Sequence, residues 1–293
     1  MDSQPYEVHG DLPSLDRPVL VVAMQGWIDA GGAAAAALAA VAAASDAQPL
    51  LTFDGDTFID YRARRPIMEL RDGVSTRLSW GDLELRSGRV ADGGDVLLLS
   101  GPEPDMRWRE FARIVTSIAV RLGTRQMVGL GAYPFAAPHT RPPRLSVTSP
   151  SADIVASVPY LRSSLDAPAG AAALLEHSFA DAGIPSLGLW AQVPHYASAM
   201  AYPASSIALL HALRDTAGIG IDTSHLDDEA RSQSERIDML VAGNDDHHSM
   251  IRQLEAAYDA SLTGDLQGLT GGPLPSGDDI AAEVERFLRE RGT

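Results

Sequence analysis

Apolar residues in this chain fall into short unbroken runs, separated by longer stretches in which they recur with a helical period. Residues 19–24, VLVVAM, form the first unbroken run and read as a strand buried on both faces. The run breaks at Gln25-Gly26-Trp27-Ile28-Asp29 and passes Gly31-Gly32 into the alanine-rich stretch 33–44, whose composition fits a helix. Strand, glycine turn and helix make the first half of a βαβ unit. Strand-type runs return at 49–53, 95–100, 126–130 and 187–193. In residues 106–122 the apolar positions Phe111, Ile114, Val115, Ile118 and Leu122 share one helical face, with Arg107, Arg109, Arg113 and Arg121 directed outward. Further helices are predicted over 169–182, ended by Gly183-Ile184-Pro185, and from Pro203 to about 216.

This alternation predicts an α/β fold: a three-layer α/β/α sandwich around a mostly parallel sheet. One section departs from it. Residues 75–80 and 83–87 alternate apolar and polar positions around Gly81-Asp82, which predicts a β-hairpin turning there. Residues 132–150 hold five prolines and no period, as an ordered loop or a pair of edge segments would. Beyond about 220 the strands stop. Residues 222–242 and 244–262 predict two helices joined at Gly243-Asn244, residues 263–276 a Gly/Pro-rich linker, and residues 278–291 a short amphipathic helix. The expected division is an α/β core over 1–220, a helical hairpin over 221–262, and a linker with a terminal helix over 263–293.

Composition narrows the chemistry. The 293 residues carry 39 acidic and 23 basic side chains, a formal charge of −16, which disfavours nucleic acid and anionic membranes as partners. There is no cysteine, so disulfides, thiolate nucleophiles and Cys-ligated metals are excluded. Every basic residue is arginine, which also removes Schiff-base lysines and a phosphate-loop lysine. The opening MDSQPYEVHGDLPS lacks the charged and apolar regions of a signal peptide, and the longest apolar stretch is too short for a membrane span. A cytoplasmic protein is expected.

Four strand exits share a look: Gln25-Gly26-Trp27-Ile28-Asp29, Ser100-Gly101-Pro102-Glu103, Gly131-Ala132-Tyr133-Pro134 and Pro194-His195-Tyr196. In a parallel sheet they line one rim, where ligands usually bind. Asp29, Glu103, His139 and His195 are therefore the candidate catalytic residues, as carboxylate and imidazole partners in acid–base chemistry. Gly26, Trp27, Asp29, Gly31, Gly131, Tyr133, Pro134 and Tyr196 are the candidate pocket lining. The same residues fit an architectural account, in which Gly and Pro punctuate strand ends and Asp29 caps the following helix. Gly129-Leu130-Gly131 lacks the third glycine of a dinucleotide fingerprint, and no G-x-S-x-G elbow accompanies Ser198, Ser205 or Ser206. Asp245, Asp246, His247 and His248 are contiguous at a helix start and point apart, so no metal site is assigned. No cofactor is implied. Arg62, Arg64 and Arg65 beside Tyr61 suit either anion recognition or salt bridges, including across a subunit contact.

The phrases GWIDAGGAA, GAYPFAAPHTRP, VPHYASAMAYPASSIALL and LPSGDDIAAEVERFLRE, in that order, resemble the proteasome assembly chaperone 2 family in its bacterial, especially actinobacterial, branch. The resemblance runs from about Pro18 to about Leu213, with the helical tail matching the bacterial branch. It implies an α/β/α fold similar to the phosphorylase and peptidyl-hydrolase group, and a homo-oligomer, with a trimer as the expected state. Relatives act as proteasome assembly chaperones, often by docking a C-terminal hydrophobic-Tyr-X tail. This sequence ends Arg289-Glu290-Arg291-Gly292-Thr293 and lacks that tail. Gly26, Asp29, Gly31, Gly131, Pro134, His139 and His195 match the family phrases and carry over as fold-defining positions. Two functions follow as expectations. One is a non-enzymatic oligomeric chaperone acting through protein contacts, with proteasome subunits as partners. The other is a hydrolase or phosphorylase-like enzyme acting on nucleoside or peptide-like substrates at the strand-end rim.

Overall fold

The computed structural model describes residues 4–26, 28–91 and 94–263. The predicted linker and terminal amphipathic helix, beyond 263, lie outside the described residues, as does Trp27. Among the described residues there are ten strands: β1 (Tyr6–Val8), β2 (Val19–Gln25), β3 (Gln48–Phe53), β4 (Ile67–Arg71), β5 (Val74–Ser79), β6 (Glu84–Val90), β7 (Gly94–Pro102), β8 (Gln126–Phe135), β9 (Leu145–Thr148) and β10 (Ser186–Pro194). The helices are α1 (Ala33–Ala44), α2 (Gly55–Phe58), α3 (Trp108–Arg121), α4 (Ala152–Ser157), α5 (Ala171–Asp181), α6 (Pro203–Ala217), α7 (Ser224–Val241) and α8 (Asp245–Thr263).

Eight strands form one sheet in the order β1-β3-β6-β7-β2-β8-β10-β9, while β4 and β5 pair only with each other. The central four, β7-β2-β8-β10, run parallel. Antiparallel pairings flank them, and β3 regains the central direction through β6. The sheet is therefore mixed and mostly parallel by strand direction, with helices on both sides.

Alternation along β2 explains its position. Val19, Val21 and Ala23 enter the core beneath α1 and α6, while Leu20 and Val22 enter the core beneath α3 and α5. Each such buried valine or leucine contributes about 2 kcal/mol of hydrophobic stabilisation, so this strand can sit only where both faces are covered. The alanines of α1 bring that helix close to the sheet. Its C-terminus presses on β6 at Gly88, where a Cβ would come within 2.5 Å of the Ser45 carbonyl oxygen. On the opposite side α3 buries Phe111, Ile114, Val115 and Ile118, and all four of its predicted outward arginines are exposed.

Three local expectations need correction. The hairpin turns at Asp72-Gly73 and not at Gly81-Asp82, and β5 does not pair with β6. Both turn residues take positive φ, 49° and 82°, as a two-residue hairpin following the strand twist requires. Leu83 is instead buried, at the point where the chain joins the large sheet. The strands expected to end at 130 and 100 also continue, β8 to Phe135 and β7 to Pro102. Gly131, Tyr133 and Pro134 are thus rungs within the sheet, opposite Trp190, Gln192 and Val193. No helix among the described residues is long and apolar enough to cross a membrane.

One buried carboxyl sets a pH dependence. Glu176 on α5 is only 4% exposed and accepts a hydrogen bond from the Thr148 hydroxyl on β9 at 3.2 Å. Burial pushes its pKa from an ordinary 4.5 up to about 7. The folded state therefore holds the proton more tightly than the unfolded chain. Its contribution is fully present below about 4.5 and is lost as pH rises through about 7. Glu176→Gln is expected to be the more stable chain at pH 8, by on the order of 2 kcal/mol, with the gap closing towards pH 5. Urea midpoints at the two pH values check this; a gap independent of pH would remove Glu176 as the cause.

Candidate functional site

Asp29 follows β2 by four residues and ends in the first turn of α1. Its Oδ1 accepts from the Ala34 amide at 2.8 Å and its Oδ2 from the Ala35 amide at 3.0 Å. Between carboxylate and helix, Gly31 and Gly32 take positive φ of 63° and 59°, folding the chain back so that one side chain reaches two unpaired amides. The turn is locked from outside as well. The Gly31 amide donates to the Ser198 carbonyl at 2.8 Å, and a Cβ on Gly31 would lie 2.7 Å from that of Tyr202. Asp29 also bridges Ala132 of β8 in parallel fashion.

Glu103, just past β7, does the same work for another helix. Its backbone amide donates to the Gln25 carbonyl, and its buried Oε1 accepts from the Ala171 amide at the start of α5. Both carboxylates proposed as acids or bases thus satisfy helix N-termini, where negative charge is also favoured by the helix dipole.

His139 is buried in a relay. Its ring Nδ1 lies 2.8 Å from the Tyr196 hydroxyl, which also accepts from the His139 backbone amide at 2.7 Å. Its Nε2 lies 3.0 Å from Oδ1 of Asp238 on α7. Because the Asp238 carboxylate only accepts, Nε2 is the ring nitrogen that donates to it. The His139 side chain is 2% exposed, whereas that of Asp238 is 62% exposed. Burial pushes the Tyr196 hydroxyl up to about 12, with Asp238 and Glu255 adding to the effect, so it remains a neutral O–H donor.

The loop around His139 binds α8 too. Arg141 places Nε and Nη2 on the carboxylate of Asp259 at 2.9 and 2.8 Å, and Nη1 on Glu255 at 3.2 Å. The Thr140 hydroxyl donates to Glu255, the Tyr258 hydroxyl to the Pro142 carbonyl, and Arg144 to the Ser261 hydroxyl. Residues 139–144 therefore form a strap that seats both terminal helices.

His195 is exposed and meets Tyr196 edge-on, with ring centroids 5.3 Å apart. The Ser198 hydroxyl donates to the His195 backbone carbonyl, not to its ring. Among the described residues no hydrogen bond joins Asp29 or Glu103 to His139 or His195. The acid partner of His139 is Asp238, 99 residues away in sequence.

The expected lining residues disperse. Gly26 lies under the Arg64 guanidinium, Gly131 is covered by the Trp190 ring, and Pro134 is exposed. The Tyr133 hydroxyl accepts from Ser146 and Gln192, and Tyr196 belongs to the relay. A cavity of about 190 Å³ does open at the ends of β2 and β7, beneath α1; Asp29, Gln25, Ser100, Leu38 and Arg86 line it. Arg86 donates from Nη2 to the Ala47 carbonyl, and its buried Nε has no hydrogen-bond partner. Arg86 escaped the sequence reading because nothing in the pattern of β6 distinguishes it from other strand arginines. Asp238, Glu255 and Asp259 left one signal, the spacing of Glu255 and Asp259 at i,i+4 on a predicted helix. Among the described residues no group of three or more His, Asp or Glu side chains is placed to hold a metal ion.

Two measurements test these roles. Asp29→Ala is expected to cost about 1 kcal/mol of stability and Asp29→Asn less, since an asparagine side-chain oxygen still caps. Equal losses in thermal melts would separate Asp29 from capping. Tyr196→Phe and Asp238→Ala, on opposite sides of His139, should couple by about 0.5–1 kcal/mol in a double-mutant cycle; strict additivity would break the relay.

Comparison with known proteins fits this architecture. None of the curated proteins matches the chain. A Mycobacterium tuberculosis protein of unknown function has 34% identity to it, covering 90% of this chain and 92% of its own, with a TM-score of 0.82. A proteasome-assembly chaperone homologue from the same organism has 32% identity, covering 80% of this chain and 99% of its own, with a TM-score of 0.73. A PAC2 family protein from Streptomyces avermitilis has 31% identity, with coverage of 80% and 99% and a TM-score of 0.72. The family model described as PAC2 family matches residues 23–241, and the chain belongs to that family.

Proposed function

We propose that this chain is a non-enzymatic, homo-oligomeric protein of the assembly-chaperone type, with proteasome subunits as partners. The observation that carries the reading is how the strand-end groups are occupied. Asp29 and Glu103 cap helices, and His139 joins Tyr196 to Asp238 in holding α7. Charged groups consumed in this way do not supply an acid–base pair, while large apolar side chains stand exposed on β4 and β5. The likeness to a proteasome-assembly chaperone homologue over nearly all of that protein supports the same partner class.

A second reading keeps one observation in its favour. The cavity beneath α1 holds Ser100 and an arginine with an unpartnered Nε, donors suited to a small anionic ligand. Under that reading the protein is a hydrolase or phosphorylase-like enzyme.

The full-length chain is expected to capture proteasome α-subunits from the same organism in a pull-down, and to sediment as a single oligomer at micromolar concentration. A monomer that captures none of them would defeat the first reading. Phosphorolysis or hydrolysis of nucleosides, abolished by Arg86→Ala, would establish the second in its place.

A further inference from the structure

Six of the large apolar side chains that face solvent lie within one short section: Ile67, Met68, Leu70, Val74, Leu78 and Trp80. Ile67 is 70% exposed. By the β4–β5 register, Ile67, Arg71, Val74 and Arg77 share one face of the hairpin, and Met68, Leu70 and Leu78 share the other. This hairpin shares no rung with the large sheet. An isolated two-stranded hairpin is marginal in water, and contiguous apolar exposure on this scale marks a contact surface. Its base is nevertheless fixed. Tyr61 and Trp80 pack edge-on with centroids 4.6 Å apart, and Arg64 bonds Asp105 at 3.1 Å. The hairpin is an arm held out from an anchored root.

Charge indicates what the arm meets. Residues 61–80 carry Arg62, Arg64, Arg65, Arg71 and Arg77 against only Glu69 and Asp72, in a chain of formal charge −16. A second copy of this chain therefore offers a predominantly acidic surface to a locally basic arm. A contact between two arms would bring one locally basic surface against another, which opposes it. Two other exposed apolar pairs differ in the charge around them. Met106 and Val120 belong to α3 and its approach, among Arg107, Arg109, Arg113 and Arg121 against Asp105 and Glu110. Met239, 71% exposed, and Leu240, 64% exposed, end α7 among Glu235, Asp238, Asp245 and Asp246 against Arg236.

We propose that the β4–β5 arm of one copy docks on the acidic α7–α8 hairpin of the next, with Ile67 and Val74 covering Met239 and Leu240. Arg71 and Arg77, on the same face of the arm as Ile67 and Val74, then meet the acids that open α8. Such a contact joins unlike surfaces head to tail, and it forms a closed ring when the rotation between copies closes. The inference rests on the homo-oligomer proposed above and names its interface.

The test is light scattering on the full-length chain at fixed salt. Ile67→Glu combined with Val74→Glu is expected to reduce the mass to that of one protomer, 31.1 kDa, with an unchanged thermal transition because neither residue is in the core. Met239→Glu combined with Leu240→Glu should do the same. Arg71→Glu combined with Arg77→Glu should also dissociate the assembly, and adding Asp245→Arg and Asp246→Arg to that chain should restore it. If wild type is itself a monomer, the oligomer reading falls and this interface with it. If wild type is an oligomer whose mass survives the arm substitutions, the interface alone is overturned. Loss with the arm variants but not with the α7 variants would overturn the assigned acceptor. An arm variant that keeps its mass yet no longer captures proteasome α-subunits would assign the arm to that partner and refute self-docking.

Discussion

The structure depends on a strand that must be covered from both sides. With Val19 and Val21 buried on one face and Leu20 and Val22 on the other, β2 cannot lie at an edge or carry helices on one side only. The first crossover therefore has to lay a helix across the sheet immediately beyond Gln25. An alanine helix suits that task, because small side chains let it lie close to the strands. It has almost no side chains of its own to satisfy its first amides, and Asp29 supplies the missing acceptors across two left-handed glycines. The same turn is held by Ala132 and by the segment from Ser198 to Tyr202, so the exits of β2, β8 and β10 are fastened together at this point. What looks like a ligand turn in an α/β sheet is here a structural junction.

That junction shows how far the sequence could be read. The helix over 33–44, the helix beginning at Pro203 and the two terminal helices were legible because period, proline and glycine all agreed on them. Asp29 as a cap was legible too, since the residue type, the position and the helix that follows point the same way. The hairpin turn was misplaced because two glycine-containing turns compete within ten residues, and only Asp72-Gly73 has its two strands paired. The continuation of β8 was hidden by Gly131 and Pro134, which usually end strands. Gly131 is required there by the Trp190 ring, which leaves no room for a Cβ. Pro134 is tolerated at the exposed end of the strand.

The rim was the least legible part, because its partners are remote in sequence. Histidine 139 reads as a catalytic candidate when its neighbours are unknown, and its acid is 99 residues away. The absence of lysine also acquires a physical sense at Arg141. One planar guanidinium reaches Asp259 with two nitrogens and Glu255 with a third, fixing the strap against successive turns of α8. A lysine ammonium is a point donor and would not hold both carboxylates in a set plane. The proline-rich loop gains its order from these contacts and not from any period of its own.

Acid–base chemistry and helix capping draw on the same side chains, and a fold has to choose between them residue by residue. A carboxylate that accepts amides at a helix start is bonded in place, and withdrawing it would leave those amides unpaired at about 1–3 kcal/mol each. Asp29 is committed in this way to two amides and Glu103 to one, and His139 has no free nitrogen while Tyr196 and Asp238 flank it. The polar groups of the rim are thereby converted into rigidity. The surface left to act is the one that folding did not consume: apolar side chains on an anchored arm, and acids on two helices that the strap holds in place. Surfaces of that kind meet a partner by shape and charge over a broad area, which is the physical basis of the contact-mediated role proposed above.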